Sequence, residues 1–212
     1  AIARPTNPTK LRDQAKWEVP ALHWADLSHE DYGVSLLNDC KYGYDAQPNQ
    51  LRLTLLRGAT WPDPEADRGQ HQFTYALYPH PGNWQTAQTV RHGYELNLPL
   101  QTVLLDPQRS PSHPTATLPP QSQLLNLPAE NLILSAFKQS EDDPQQWILR
   151  CYECHGQPAE LTLQSDLNLA IANSTNLLEQ AIVSPDPAAQ SATTGQISPW
   201  KIVTYKISAS NH

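Results

Sequence analysis

Along most of the chain, apolar and polar residues alternate or gather into short runs, and Gly, Pro, Asn and Asp close those runs. Gly33 to Asn38 is a short apolar run ended by polar residues. Gln50 to Arg57 alternates, and His71 to Tyr78 is a third run rich in aromatic and apolar residues. Runs of this length between turn formers read as strands. Trp17 to Val19, ended by Pro20, and Ala21 to Ser28, anchored by Trp24, precede them. After Pro99 a brief strand is expected over Thr102 to Leu105. In the second half, Leu124 to Leu127 and Asn131 to Lys138 read as a hairpin around Pro128-Ala129-Glu130. Further strands are expected over Gln146 to Cys154, Glu160 to Gln164, Leu167 to Ala172 and Trp200 to Ile207, with Asn173 to Gln180 polar and turn-like.

One stretch carries a helical period. Over Asn83 to Asn97, Asn83 supplies a cap, and Trp84, Ala87, Arg91 and Tyr94 recur at three- and four-residue steps on one face, placed to cover an edge or end of a sheet. Ala1 to Asp13 has no periodicity and reads as an extended lead-in segment. The Pro-, Ser-, Thr- and Ala-rich stretches 106–121 and 184–194 read as loops. Many short strands and one short helix define an all-β protein, a two-sheet antiparallel sandwich forming a single domain over 1–212.

The alternating run around Leu51 is the most informative. Leu51, Leu53 and Leu55 share one face of a strand, and Arg57 falls on that face where the apolar row stops. Such a strand delivers a guanidinium at the rim of the core. Two readings are open: an arginine aimed at a site, or one that snorkels to solvent or pairs with Asp63, Glu65 or Asp67. Those three acidic residues lie in the Pro-rich loop Thr60 to Gln70, which is long enough to be functional. They invite a calcium reading. The loop lacks the Gly and the distal Glu of an EF-hand, which favours a solvated acidic loop.

Composition narrows the classes. A net charge of −7 and a pI near 5.5 over 212 residues argue against a nucleic-acid partner. No apolar run approaches the roughly 18 residues of a transmembrane helix, and no signal-peptide pattern opens the chain. The chain begins with Ala and contains no Met, so it is expected to be a piece of a longer protein. Three cysteines do not make a disulfide framework, and a cytoplasmic location is the expectation.

The loudest short motif is Cys151-Tyr-Glu-Cys154-His155, the spacing of covalent c-type haem attachment. Here it ends an alternating strand with Trp147, Leu149 and Cys151 on one face, and no Met is present to serve as axial ligand. Haem is therefore rejected, and a zinc site built on Cys151, Cys154 and a distant His is disfavoured.

Four blocks in order resemble the carboxy-terminal β-domain of glycoside hydrolase family 38, the α-mannosidases. They are LLNDCKYGY (Leu36 to Tyr44), LRLTLLR (Leu51 to Arg57), PDPEAD (Pro62 to Asp67) and HQFTYALYPH (His71 to His80). The likeness extends upstream to WEVPALHWADLS (Trp17 to Ser28) and downstream to YELNLPL (Tyr94 to Leu100). It reappears weakly in RCYECHG (Arg150 to Gly156), NLLE (Asn176 to Glu179) and PWKIVTYKI (Pro199 to Ile207).

The resemblance implies a large sandwich of the galactose-mutarotase-like kind, at the carboxy-terminal end of a retaining, zinc-dependent enzyme that hydrolyses terminal α-mannosides. A retaining glycosidase sets two carboxyl groups roughly 5–5.5 Å apart, and no such pair can be named in this chain. The resemblance places the nucleophile and the zinc ligands in an amino-terminal catalytic domain of the same polypeptide, so this chain alone is expected to be inactive. It also implies that Arg57 reaches the cleft of that domain to hold a sugar hydroxyl or orient an acidic residue, a task its planar fork suits. Asn38 and Asp39, on the loop running to Tyr42, either face the same cleft or stabilise a turn. The implied partners are the catalytic domain and mannose-containing carbohydrate, with neither nucleic acid nor membrane. The alternatives are a stand-alone carbohydrate-binding module stacking sugars on Trp61, Trp84, Tyr42 and Tyr44, or a purely structural scaffold between domains.

Overall fold

The computed structural model describes residues 1–104, 121–182 and 194–209. The chain divides into two compact units, Ala1–Thr102 and Val103–His212.

The first unit holds two three-stranded antiparallel sheets. In one, β2 (Trp24–Ser28) pairs with β3 (Tyr32–Asn38), and β3 pairs with β6 (Tyr75–Pro81). The turn between β2 and β3 is closed by the His29 N–H donating to Tyr32 O at 2.8 Å. The other sheet has the order β1 (Val19–Pro20), β4 (Gly43–Gln47), β5 (Gln50–Leu53). Pro20 ends β1 as expected, because its ring removes the donor that a longer ladder needs.

Leu36, Leu37, Tyr44, Ala87 and Val90 are buried here beside the polar Ser35, Asn38, His80 and Thr89. β6 is the last strand of its sheet among the described residues, and Tyr75 and Leu77 on it are exposed while His80 faces inward.

The helical stretch is shorter than its period predicts. The helix spans Thr89–Asn97 (α2), and Gln88 before it is left-handed, with φ of 53°. Asn83 caps a separate turn instead: its Oδ1 accepts the N–H groups of Gln85 and Thr86. The left-handed Gln88 interrupts the run of helical dihedrals, so one periodic face is carried by a turn and a helix in succession. That face still packs as the spacing indicates. Trp84 lies against Trp24 at 5.2 Å, Tyr94 against His23 at 5.7 Å, and Gly93 comes close to the Trp24 ring.

The second unit holds a four-stranded antiparallel sheet of order β10 (Leu169–Thr175), β12 (Ile202–Ala209), β8 (Trp147–Glu153), β7 (Leu132–Gln139). A second, two-stranded sheet pairs β11 (Thr194–Ile197) with β9 (Ala159–Thr162). Leu149, Cys151, Ile171 and Ile207 from the larger sheet share one apolar core with Ala159, Leu161 and Ile197 from the smaller. Two sheets closing on one core is the sandwich arrangement.

The all-β, antiparallel class is therefore as the pattern indicates. Several details differ: Gly43–Gln47 is a strand where no run announces one, Asn173 to Thr175 continue β10 instead of turning, and β6 starts only at Tyr75. A short helix, Leu11–Gln14 (α1), stands in the lead-in segment, stapled by Asp13 and Gln14 N–H groups to Lys10 O. No strand forms over residues 102–104, and Leu105 lies outside the described residues, as do nearly all of the loops 106–121 and 184–194. Leu124 to Leu127 makes no hairpin with β7; Asn126 bridges Gln164 instead, its N–H donating to Gln164 O at 2.8 Å. The ladder of β5 stops at Leu53 rather than Arg57.

Candidate functional site

Arg57 follows the end of β5. Leu51, Leu53 and Leu55 are half-buried, while Arg52, Thr54 and Leu56 are exposed, so the alternation read in the sequence continues past the last ladder pair, Tyr44↔Leu53. The segment is still held, because the Thr54 N–H donates to Gly43 O at 2.9 Å. Arg57 itself is exposed, and no hydrogen bond or ion pair engages it among the described residues.

The acidic residues that could have paired with Arg57 are occupied elsewhere. Asp67 Oδ2 accepts the Gly58 N–H at 2.6 Å, Asp63 Oδ1 accepts the Glu65 N–H at 2.9 Å, and Glu65 pairs with Arg68 at 2.7 Å. Gly58, with φ of 64°, supplies the left-handed residue that turns the chain after Arg57. The loop thus folds Asp63 and Asp67 onto its own backbone, the ordinary behaviour of Asp in turns, pairs Glu65 with Arg68, and leaves the Arg57 guanidinium outside.

Asn38 ends β3 and is fully buried. Its amide nitrogen donates to Leu22 O at 3.1 Å and to the Tyr44 hydroxyl, while its Oδ1 accepts the Lys41 N–H at 2.5 Å. Burial pushes the Tyr44 phenol up to about 12. Asp39 exchanges two bonds with Thr74: its N–H donates to Thr74 O at 3.1 Å, and its Oδ2 accepts the Thr74 N–H at 2.9 Å. The Cys40 thiol and the Thr74 N–H hold the Asp39 carboxyl below its ordinary value. Asn38 and Asp39 are thus the clasps of a turn that feeds into Gly43, which in turn bonds the segment leading to Arg57.

A polar cluster that sequence reasoning missed lies between β2, β3, β6 and α2. Asp26 Oδ1 accepts from Ser35 Oγ at 2.7 Å and lies 2.8 Å from His80 Nε2. Ser35 Oγ also meets Thr89 Oγ1 at 2.8 Å. Serine, histidine and aspartate together suggest a catalytic triad, but the geometry is different. Ser35 and Asp26 both address the same ring nitrogen, Nε2, whereas a relay uses the two nitrogens for two partners. The group is sealed from solvent and ties the helix to the sheet. A signal for it existed: Ser35 is the one hydroxyl inside an otherwise apolar run, and His80 has the inward parity of Ala76 and Tyr78.

The cysteine motif lies in the second unit. Cys151 is 0 % and Cys154 3 % exposed, and no cysteine is in a disulfide. Burial pushes the Cys151 thiol up to about 11. Glu153 between them is the organising residue of the strand end. It accepts the N–H groups of His155 (2.7 Å), Gly156 (2.8 Å) and Trp200 (2.9 Å) and the Asn131 amide (3.1 Å). Of the aromatic residues considered for sugar stacking, Tyr44 is 2 % exposed and Trp84 packs on Trp24, whereas Trp61, at 84 %, and Tyr42 are open. Among the described residues no group of three His, Cys, Asp or Glu gathers to hold a metal, and no helix is long and apolar enough to cross a membrane.

Comparison with known proteins gives consistent results. Residues 1–65 match the glycosyl hydrolases family 38 C-terminal domain, and residues 131–205 match the glycosyl hydrolases family 38 C-terminal beta sandwich domain. Alpha-mannosidase 2C1 of Homo sapiens is 39% identical over 88% of this chain and 17% of its own length. An alpha-mannosidase of Saccharomyces cerevisiae is 34% identical over 84% of the chain and 17% of its own length. The chain thus spans about a sixth of the length of the curated relatives it matches. The crystal structure of a glycosyl hydrolase family 38 protein from Enterococcus faecalis superposes with a TM-score of 0.71 at 18% identity, over 97% of this chain and 23% of that one.

Proposed function

We propose, for a chain that belongs to glycoside hydrolase family 38 and forms its C-terminal domain, that it buttresses the catalytic domain of a retaining, zinc-dependent α-mannosidase and supplies Arg57 to the cleft of that domain. The observation that carries this reading is the free guanidinium. Arg57 stands exposed beyond a held strand end while the neighbouring carboxylates are engaged by other partners in their own loop. A planar donor fork of this kind suits a sugar hydroxyl or a carboxylate.

In this reading the catalytic carboxylates and the zinc ligands belong to the rest of the polypeptide. Asn38 and Asp39 fix the turn that bonds, through Gly43, the segment before Arg57. The substrate class is mannose-containing carbohydrate, hydrolysed with the two-carboxylate geometry of retaining enzymes, and the location is cytoplasmic. The relatives named alpha-mannosidase support the substrate class.

The test is Arg57→Ala in the full-length enzyme. A fall of about 10–100-fold in kcat/KM, about 1.4–2.8 kcal/mol of transition-state stabilisation, with an unchanged melting temperature and partial recovery in Arg57→Lys, is expected. An unchanged kcat/KM, or a large loss of stability, would overturn it.

A further inference from the structure

An open groove of about 290 Å³ in the first unit is lined by Trp17, Glu18, Asp45, Arg52, Leu53 and Thr54. Trp17 is 70 % exposed, and the Arg52 guanidinium lies 5.9 Å from the centre of its ring. Arg52 is fixed in turn by Asp45: its Nε reaches both carboxylate oxygens at 2.8–2.9 Å, and its Nη2 reaches Oδ2 at 2.7 Å. Opposite, Glu18 accepts from the Thr54 hydroxyl. Gly43 leaves the space that the Glu18 carboxylate fills; a Cβ there would meet that carboxylate.

We propose that this groove is a binding site for a neutral hexopyranose. A pyranose presents an apolar ring face and a rim of hydroxyls that both donate and accept. The groove offers the matching set: an exposed indole as platform, carboxylate lone pairs beyond those already used, and the remaining guanidinium N–H groups. Asp45 already holds Arg52 and Glu18 already accepts from Thr54 before any ligand arrives, which lowers the ordering cost of binding at those two groups. Charge selects the ligand class. Two carboxylates against one guanidinium disfavour an anionic sugar, and among the described residues no third ligand joins Glu18 and Asp45 to hold a metal. Neither Arg57 nor Trp61 lines the groove, so the site stands or falls apart from the cleft contribution of Arg57.

The experiment follows the tryptophan indole N–H resonances of the full 212-residue chain during titration with methyl α-mannopyranoside. One resonance, assigned to Trp17 by its loss in Trp17→Ala, should shift and saturate at millimolar sugar. Asp45→Asn and Arg52→Gln should each weaken the binding by about tenfold, Arg57→Ala should leave it unchanged, and mannose 6-phosphate should bind more weakly than the neutral glycoside. Absence of a saturable shift, a response that follows Trp61→Ala instead, or preference for the phosphorylated sugar would overturn the proposal.

Discussion

The Glu153 carboxylate accepts the Trp200 N–H at 2.9 Å across 47 residues of sequence, locking the end of β8 to the start of β12. Burial alone pushes this carboxyl up. The N–H groups of Trp200, His155, Gly156 and Gln157 outweigh that effect and hold it below its ordinary value. A depressed carboxyl adds stability that is complete above its unfolded value and disappears as pH falls through the folded value. Glu153→Gln turns a donor toward backbone donors, and a loss of about 1–3 kcal/mol is expected. Urea unfolding at neutral and acid pH checks this: the gap between wild type and variant should narrow as pH drops.

Gly156, within that same strand end, has φ of 76°, and a Cβ on it would lie 2.6 Å from the Trp200 ring. Gly156→Ala therefore meets strain and overlap together. It should lower the melting temperature and cost about 1–3 kcal/mol, and Trp200→Ala should relieve the overlap but not the strain.

Asp26 and His80 are the centre of the sealed cluster beside α2. Asp26→Ala leaves the Ser35 hydroxyl and the His80 ring without their shared acceptor, a loss of about 1–3 kcal/mol. A double-mutant cycle with His80→Ala should return a coupling of about 0.5–3 kcal/mol. Additivity of the two variants would contradict the contact.

Gly33 packs directly beneath the same histidine. A Cβ there would strike the His80 ring and lie 2.6 Å from Ser28 Cβ. Gly33→Ala should destabilise by about 1–3 kcal/mol through overpacking, read as a lower urea midpoint.

The thiols provide a check on the cysteine motif. Cys40 is exposed, whereas Cys151 and Cys154 are buried. A thiol reagent should modify Cys40 alone in the folded chain and all three cysteines in denaturant. Modification of Cys154 in the folded chain would show that the strand end opens.

Most strands were legible because their periodicity is enforced by burial. Tyr32–Asn38 and Trp147–Glu153 appear within a residue of the runs that announce them. Boundaries set by single dihedrals were not. Nothing in the identity of Gln88 marks it as left-handed, so a turn and a helix read as one helix. The strand ending at Leu53 read as reaching Arg57, since alternation outlasts the ladder and only backbone pairing separates the two. β11 begins in a Ser-, Ala- and Thr-rich stretch and exists through its pairing with β9, a partner about thirty residues away that no local pattern reveals. At the candidate site, parity put Arg57 on the half-buried face of Leu51, Leu53 and Leu55, whereas it stands exposed, beyond the end of the ladder at Leu53. The capture of Asp63 and Asp67 within their loop, and the confinement of Asn38, depend on backbone donors whose placement a sequence does not state.

The edge formed by β6 carries a consequence for handling the molecule. Its later half contains Pro79 and Pro81, which have no N–H to offer an incoming strand, while Tyr75 to Leu77 keeps its donors and turns two large apolar side chains outward. Along this edge, a strand from a second molecule finds its donors and apolar side chains at Tyr75 to Leu77, and Leu77→Lys is expected to lower any self-association there, read by light scattering of concentrated solutions.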